Sequence, residues 1–151
     1  MAKVRDVMNT ELTSVPSSTP IIEVAHQMKI QGTETIPVCD HGKFRGVITA
    51  RDIVTEIVAN AVDPVVETAR SVVNKHQPLI SPGEEIMQAA KLMVNDGVHI
   101  LAVVQNGELL GLLTLEDLAR ESMALAALVF SKTITPRAIA ELKIHGERVS
   151  E

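Results

Sequence analysis

The chain has no tryptophan and no tyrosine, and only two phenylalanines. Base stacking on aromatic side chains, the usual platform for single-stranded nucleic acid, is therefore not available to it. Basic residues are outnumbered, 14 Lys and Arg against 19 Asp and Glu, which leaves a net charge of −5 and no basic run. That balance argues against a nucleic-acid groove and against an anionic membrane surface. A single cysteine rules out an internal disulfide framework and fits a reducing compartment. No apolar stretch approaches the roughly 20 residues of a membrane helix. The start, Met1 to Asp6, lacks the apolar region of a signal peptide, so the cytoplasm is the expected location.

What remains is an ordinary globular composition, 46% hydrophobic and 22% charged over 151 residues. A chain of that length buries roughly 70% of the surface its unfolded form exposes. The dominant feature is an internal repeat. Shifting the sequence by 65 residues lays Gly32, Gly42 and Gly46 on Gly97, Gly107 and Gly111 without a gap. Thr49 and Asp52 fall on Thr114 and Asp117, and Arg5, Val7, Asn9, Ile21, Ala25, Met28, Val38 and Glu56 also meet their own kind. The chain is a tandem duplication.

Each half reads as strand, helix, strand, strand, helix. Thr19-Pro20 predicts a helix start, with Ile21, Val24, Ala25 and Met28 at helical spacing and Gly32 as C-terminal cap. Ile36 to Cys39 and Phe44 to Thr49 flank the turn Asp40-His41-Gly42-Lys43 as a hairpin. A helix from Ala50 to about Ala61 buries Ile53, Ile57 and Val58. In the second half, Ser81 to Glu84 has capping-box spacing, followed by Ile86, Ala89, Ala90 and Met93. Asn106-Gly107 is a strong hairpin signal between two apolar runs. The helix after Thr114 is predicted to reach Phe130. Short extended pieces, Leu12 to Val15 and Leu79-Ile80, precede the first helix of each half. Thr135-Pro136 opens a tail helix with Ile139 and Leu142 on its apolar side and Gly146 at its end.

The most informative motif is the repeated Gly-apolar-apolar-Thr-x-x-Asp, at Gly46 to Asp52 and Gly111 to Asp117. It places a hydroxyl and a carboxylate at the first turn of a helix. One reading is a helix cap. The other adds a ligand, with helix amides facing a phosphate and the carboxylate accepting from ribose hydroxyls. Elsewhere the residues point to packing. Cys39 reads as a small buried hydrophobe. His41, His76 and His99 have no zinc-finger spacing around it. Met28, Met87 and Met93 fall on helical core faces. Ser14, Ser17, Ser18 and His26 form no nucleophile elbow, and phosphate loops of the Walker or dinucleotide type are absent.

Together, the duplicated unit, Ile36-Pro37-Val38 and the repeated Thr-x-x-Asp resemble the cystathionine-β-synthase (CBS) domain family, as a tandem pair or Bateman module. The resemblance covers residues 4–61 and 71–130. It implies an α+β fold of two βαββα repeats packed as a pseudo-twofold pair, with the C-terminal helix added. The domains would be residues 1–61 and 71–130, joined by a linker at 62–70 and followed by a tail at 131–151. It also implies clefts for AMP, ADP, ATP or S-adenosylmethionine as regulatory ligand, no required cofactor, no catalysis, and an effect on a partner by population shift. A ligand-free dimerisation module is the alternative.

Carried over by residue, Asp52 would hold the ribose, Thr49 the phosphate or sugar, Arg51 the phosphate, Thr13 and Val15 the adenine edge, and Ile36 and Pro37 its face. In the second site Asp117 and Thr114 take the polar roles, and Ile80, Leu101 and Ala102 line the base pocket. Ala102 stands where the family usually has proline, and Glu116 replaces Arg51, so the Asp52 site is expected to bind phosphorylated ligand more tightly. Apolar helical faces in both halves, including Ile53, Ile57 and Val58 in the first and Leu118, Leu125 and Leu128 in the second, suggest a homodimer, with the tail adding to the contact.

Overall fold

The computed structural model describes residues 1–133 and contains two copies of one α+β unit related by a pseudo-twofold. In the first half, helix α2 (Ile21–Gln31) leads into the hairpin β1 (Thr35–Asp40) and β2 (Lys43–Thr49). The chain then turns into α3 (Ala50–Asp52), which continues as a π-helical stretch over Ile53–Val58. The second half has β3 (Leu79–Ile80), α5 (Ile86–Asp96), the hairpin β4 (Ile100–Gln105) and β5 (Glu108–Thr114), α6 (Leu115–Glu121) and α7 (Met123–Thr133). Short helices α1 (Val4–Val7) and α4 (Ala69–Val72) precede the two units.

The repeat persists at the level of single backbone angles. Both first helices end on a left-handed glycine, Gly32 and Gly97, each at φ +64°. The hairpin turns put two consecutive residues at positive φ, His41-Gly42 and Asn106-Gly107. That is the turn whose twist matches a right-twisted ribbon. Both hairpins pair antiparallel with the same shift in register, after Val38 and after Val103. The leading extended pieces also match, since Leu79–Ile80 runs parallel to β4 and Val15 makes a parallel bridge to Val38.

The segment that leads into each repeat packs on the other repeat. Val4, fully buried, lies in the second core with Ile86, Met93, Leu101 and Leu118. Its amide donates to Glu84 O at 2.8 Å, and Asn9 and Leu112 exchange both backbone bonds at 2.8 and 3.0 Å. Conversely, Ala69 and Val72 lie in the first core with Ile21, Val24, Ile36 and Ile48. The amides of Ala69, Arg70 and Asn74 donate to Thr19, Ser17 and Val47. A third apolar cluster, Val47, Ala102 and Leu112 with Phe44 against it, joins the two sheets. The Phe44 amide donates to Gly107 O at 2.9 Å.

Four local expectations are corrected. Helix α2 starts after Pro20 and α5 after Glu85, one residue and four residues later than Thr19 and Ser81 suggested. Ser81 instead closes a turn, accepting from the Glu84 amide at 3.2 Å, because the leading segment occupies Glu84 O and the Ile86 amide. The helix after Thr114 breaks at Ser122 (φ −151°, ψ 103°), whose hydroxyl accepts from the Leu125 amide and restarts the chain as α7. In the 53–58 stretch the wider π winding leaves Ile57 buried but Val58 68% exposed. The expected tail helix with Ile139 and Leu142 lies outside the described residues.

The exchange leaves no room at Gly46. At φ +144°, a Cβ there would sit 2.1 Å from Asn74 O, whereas a Cβ at Gly32 meets nothing within 4 Å. Gly46→Ala should therefore cost about 3 kcal/mol or more, while Gly32→Ala should cost about 1–2 kcal/mol for the left-handed angle alone. Urea unfolding of the two variants checks the order, and equal losses would contradict the close approach.

Candidate functional site

Both Thr-x-x-Asp motifs form reciprocal caps. In the first, Asp52 Oδ2 accepts from the Thr49 amide at 2.8 Å, and the Asp52 amide donates to Thr49 Oγ1 at 3.1 Å. In the second, Asp117 Oδ2 accepts from the Thr114 amide at 2.8 Å and from its hydroxyl at 2.9 Å, and the Asp117 amide returns a bond at 3.2 Å. The two then diverge. Asp117 is 5% exposed and its Oδ1 accepts from Arg120 at 2.7 Å. Among the described residues Asp52 has no ion-pair partner, because Thr55 stands where the second half has Arg120, and its hydroxyl donates to Arg51 O.

A cavity of about 770 Å³ lies where the leading segment crosses between the halves. Asn9, Glu11, Leu12 and Thr13 come from that segment, and Gln31 to Thr35 and Pro37 come from the end of α2 and the start of β1. Ile100, Leu112, Thr114, Glu116, Asp117 and Arg120 come from the second half. Of the residues expected from sequence, Thr13, Pro37, Thr114 and Asp117 meet here. Thr49, Arg51 and Asp52 belong to the pseudo-equivalent corner and do not line this cavity. Val15, Ile36, Ile80, Leu101 and Ala102 are buried, and their side chains belong to the apolar clusters.

Sequence reasoning grouped the ligand residues within each repeat and so paired Thr13 with Asp52. The exchange pairs Thr13 with Asp117 instead. The cavity also takes in Glu11, Glu34 and Arg120, of which Arg120 is legible from its spacing, one turn after Asp117 on the same helical face. Glu11, Glu34, Glu116 and Asp117 give the cleft an acidic lining, with Arg120 the one cation on it among the described residues.

Two copies of the CBS domain model match, at residues 4–59 and 69–124. The chain belongs to the CBS-domain family. CBS domain-containing protein YhcV of Bacillus subtilis is 31% identical over 127 residues, covering 82% of this chain and 88% of its own. Protein MK0525 of Methanopyrus kandleri is also 31% identical, and there the match spans 61% of the relative's length and 78% of this chain. The crystal structure of Hypoxic Response Protein I with two coordinated zinc ions superposes with a TM-score of 0.73 at 27% identity, over 81% of this chain and 100% of that one. CBSX2 in complex with AMP gives 0.71 at 19% identity, over 83% and 98%, a likeness of fold. Among the described residues no three His, Cys, Asp or Glu side chains gather as a metal cluster, and no helix is long and apolar enough to cross a membrane.

The unequal caps have a measurable consequence. Asp52→Ala removes an ordinary cap and should cost about 1 kcal/mol. Asp117→Ala also takes the acceptor from the half-buried Thr114 hydroxyl and from Arg120, and should cost about 2 kcal/mol. Thermal unfolding of the two variants should show the larger drop for Asp117→Ala.

Proposed function

We propose that the protein is a regulatory module that binds an adenosine compound in the cleft at Asp117 and signals to a partner protein by a shift in arrangement of its halves. The observation that carries this reading is the state of the Asp117 carboxylate. One oxygen is committed to the helix cap, and the other is held only by Arg120, whose side chain is 75% exposed at the cleft wall. A ribose hydroxyl donating to Oδ1 displaces a solvated guanidinium, not a buried group. The freed Arg120 is then the cation on hand for a phosphate, and Thr13 and Pro37 stand across the cleft. A volume of about 770 Å³ is within the range of small-molecule sites. The AMP complex of CBSX2 gives the same fold an adenosine ligand.

The surrounding carboxylates grade the ligands. Glu11, Glu34 and Glu116 repel accumulating negative charge, so adenosine, S-adenosylmethionine and AMP are favoured over ADP and ATP. The preference for the Asp52 cleft that Arg51 suggested is offset here by Arg120. Because both halves contribute walls, occupancy favours the arrangement that closes them, which is the differential affinity a population shift requires. The role is binding and not catalysis, consistent with Ser17, whose hydroxyl donates to Asp40 and not to a histidine.

Titration calorimetry with the full chain tests the site. Asp117→Ala should weaken adenosine and AMP by at least tenfold, and Arg120→Ala should weaken AMP about tenfold while sparing adenosine. Unaltered binding by Asp117→Ala would overturn the assignment, and no binding of any adenosine compound would leave the motifs as helix caps of a dimerisation module. A homodimer is proposed through the exposed Met123, Leu128 and Phe130 of α7. Sedimentation should give twice the 16.3 kDa chain mass, and Phe130→Glu should return it to monomer.

A further inference from the structure

We propose that a second, basic pocket at the hairpin tip of the first half binds a phosphoryl group of a small ligand. The cavity, about 460 Å³, is walled by Ser17, Asp40, Phe44, Arg45, Arg70, Val73 and Lys75. Three cations thus face one carboxylate. Asp40 is already committed: Oδ1 accepts from the Ser17 amide at 2.9 Å and Oδ2 from its hydroxyl at 2.7 Å. Arg45 Nε lies 3.4 Å from the same oxygen. Arg70 Nη2 donates to Ser17 Oγ at 3.4 Å, which aims its guanidinium across the pocket. Among the described residues neither Arg70 nor Lys75 has a carboxylate within ion-pair distance. Converging cations repel one another until an anion sits between them, and guanidinium forks match the oxygens of a phosphate.

The duplication supplies an internal control. At the positions 65 residues on from Ser17, Asp40 and Arg45 stand Pro82, Gln105 and Leu110, and 65 residues before Lys75 stands Thr10. Only Arg70 keeps its counterpart, Arg5. The second half builds the same hairpin with the same register shift without the cluster, so the fold does not require it. The pocket is also separate from the adenosine cleft. The two linings share no residue, and Thr35 and Asp40 mark opposite ends of β1, about 17 Å apart by strand rise. With two phenylalanines in the chain and a net charge of −5, a small phosphorylated molecule suits the pocket and a nucleic-acid strand does not.

Calorimetry on the full chain at fixed ionic strength, with inorganic phosphate, pyrophosphate and a sugar phosphate as probes, tests this. One probe per chain should bind, and a tighter sugar phosphate than inorganic phosphate would identify an organic ester as the ligand, the reverse order the free ion. The double variant Arg45→Leu, Lys75→Thr carries the residues the second half already tolerates and should lose at least tenfold, as should Arg70→Gln. The charge-matched pair Lys29→Thr, Lys91→Thr and the cleft variant Asp117→Ala should bind as the parent does. Equal loss in both double variants would reduce the effect to diffuse charge, loss in Asp117→Ala would move the anion to the cleft, and no binding at millimolar probe would remove the site. Adenosine binding is read on the same variants, so failure of this pocket and failure of the cleft assignment are separable.

Discussion

The exchange of leading segments is the constraint on which the rest of the structure depends. Each of two short stretches, Val4 to Asn9 and Ala69 to Asn74, seals the core of the opposite half and bonds to the exposed flank of its second strand. A unit of some 50 residues has little core of its own, and its hairpin presents an open edge. Lending a helical turn and a strand bridge in each direction covers both edges and commits the halves to one relative placement. The cavity at Asp117 follows from it, because the chain must cross from one half to the other through Leu12 and Thr13 to make the exchange.

Gly46 and Gly111 show how closely the sequence is tied to that exchange. Each lies on a strand where the partner segment's backbone takes the volume of a side chain. A Cβ on Gly111 would lie 2.9 Å from Asn9 O and 2.8 Å from Met8 Sδ. The two positions differ in angle, since only Gly46 is in the left-handed region, so close approach is the shared requirement. Gly32 and Gly97 recur at the same spacing as helix caps, and Gly42 and Gly107 as turn residues, so it is the close approach that marks Gly46 and Gly111 as contacts between repeats.

The duplicated architecture was legible because its signals are local: paired turn residues, glycine caps and apolar spacing all act within a few residues. The site was legible only in part. Thr114 and Asp117 announce themselves by motif, but which residues face them depends on a crossing that periodicity does not report, and through it Thr13 shares a cavity with Asp117 and not with Asp52. Ile36 and Leu101 fit a pocket wall by family position, yet their side chains belong to the two cores, while Pro37 and Ala102, next along each strand, are buried on the other face. The break at Ser122 escaped for a related reason. A serine inside a continuous apolar helical pattern is tolerated by propensity, and only the packing of α7 across α6 and α5 makes the interruption favourable.

The two halves have diverged mainly in charge. Around Asp117 the lining is acidic, with a single arginine already engaged, while at the tip of the first hairpin three cations surround a carboxylate that its own serine has satisfied. Packing around the hairpins changes little between the copies, because the register shift, the glycine caps and the strand core positions repeat. Substitutions such as Arg51 to Glu116, Thr55 to Arg120 and Arg45 to Leu110 alter what approaches the surface without altering what holds the core. Exposed charges cost little stability to exchange, since solvent screens them. After duplication, that freedom allows one scaffold to present two surfaces of opposite sign, and it places the divergence in charge where the fold is least affected by change.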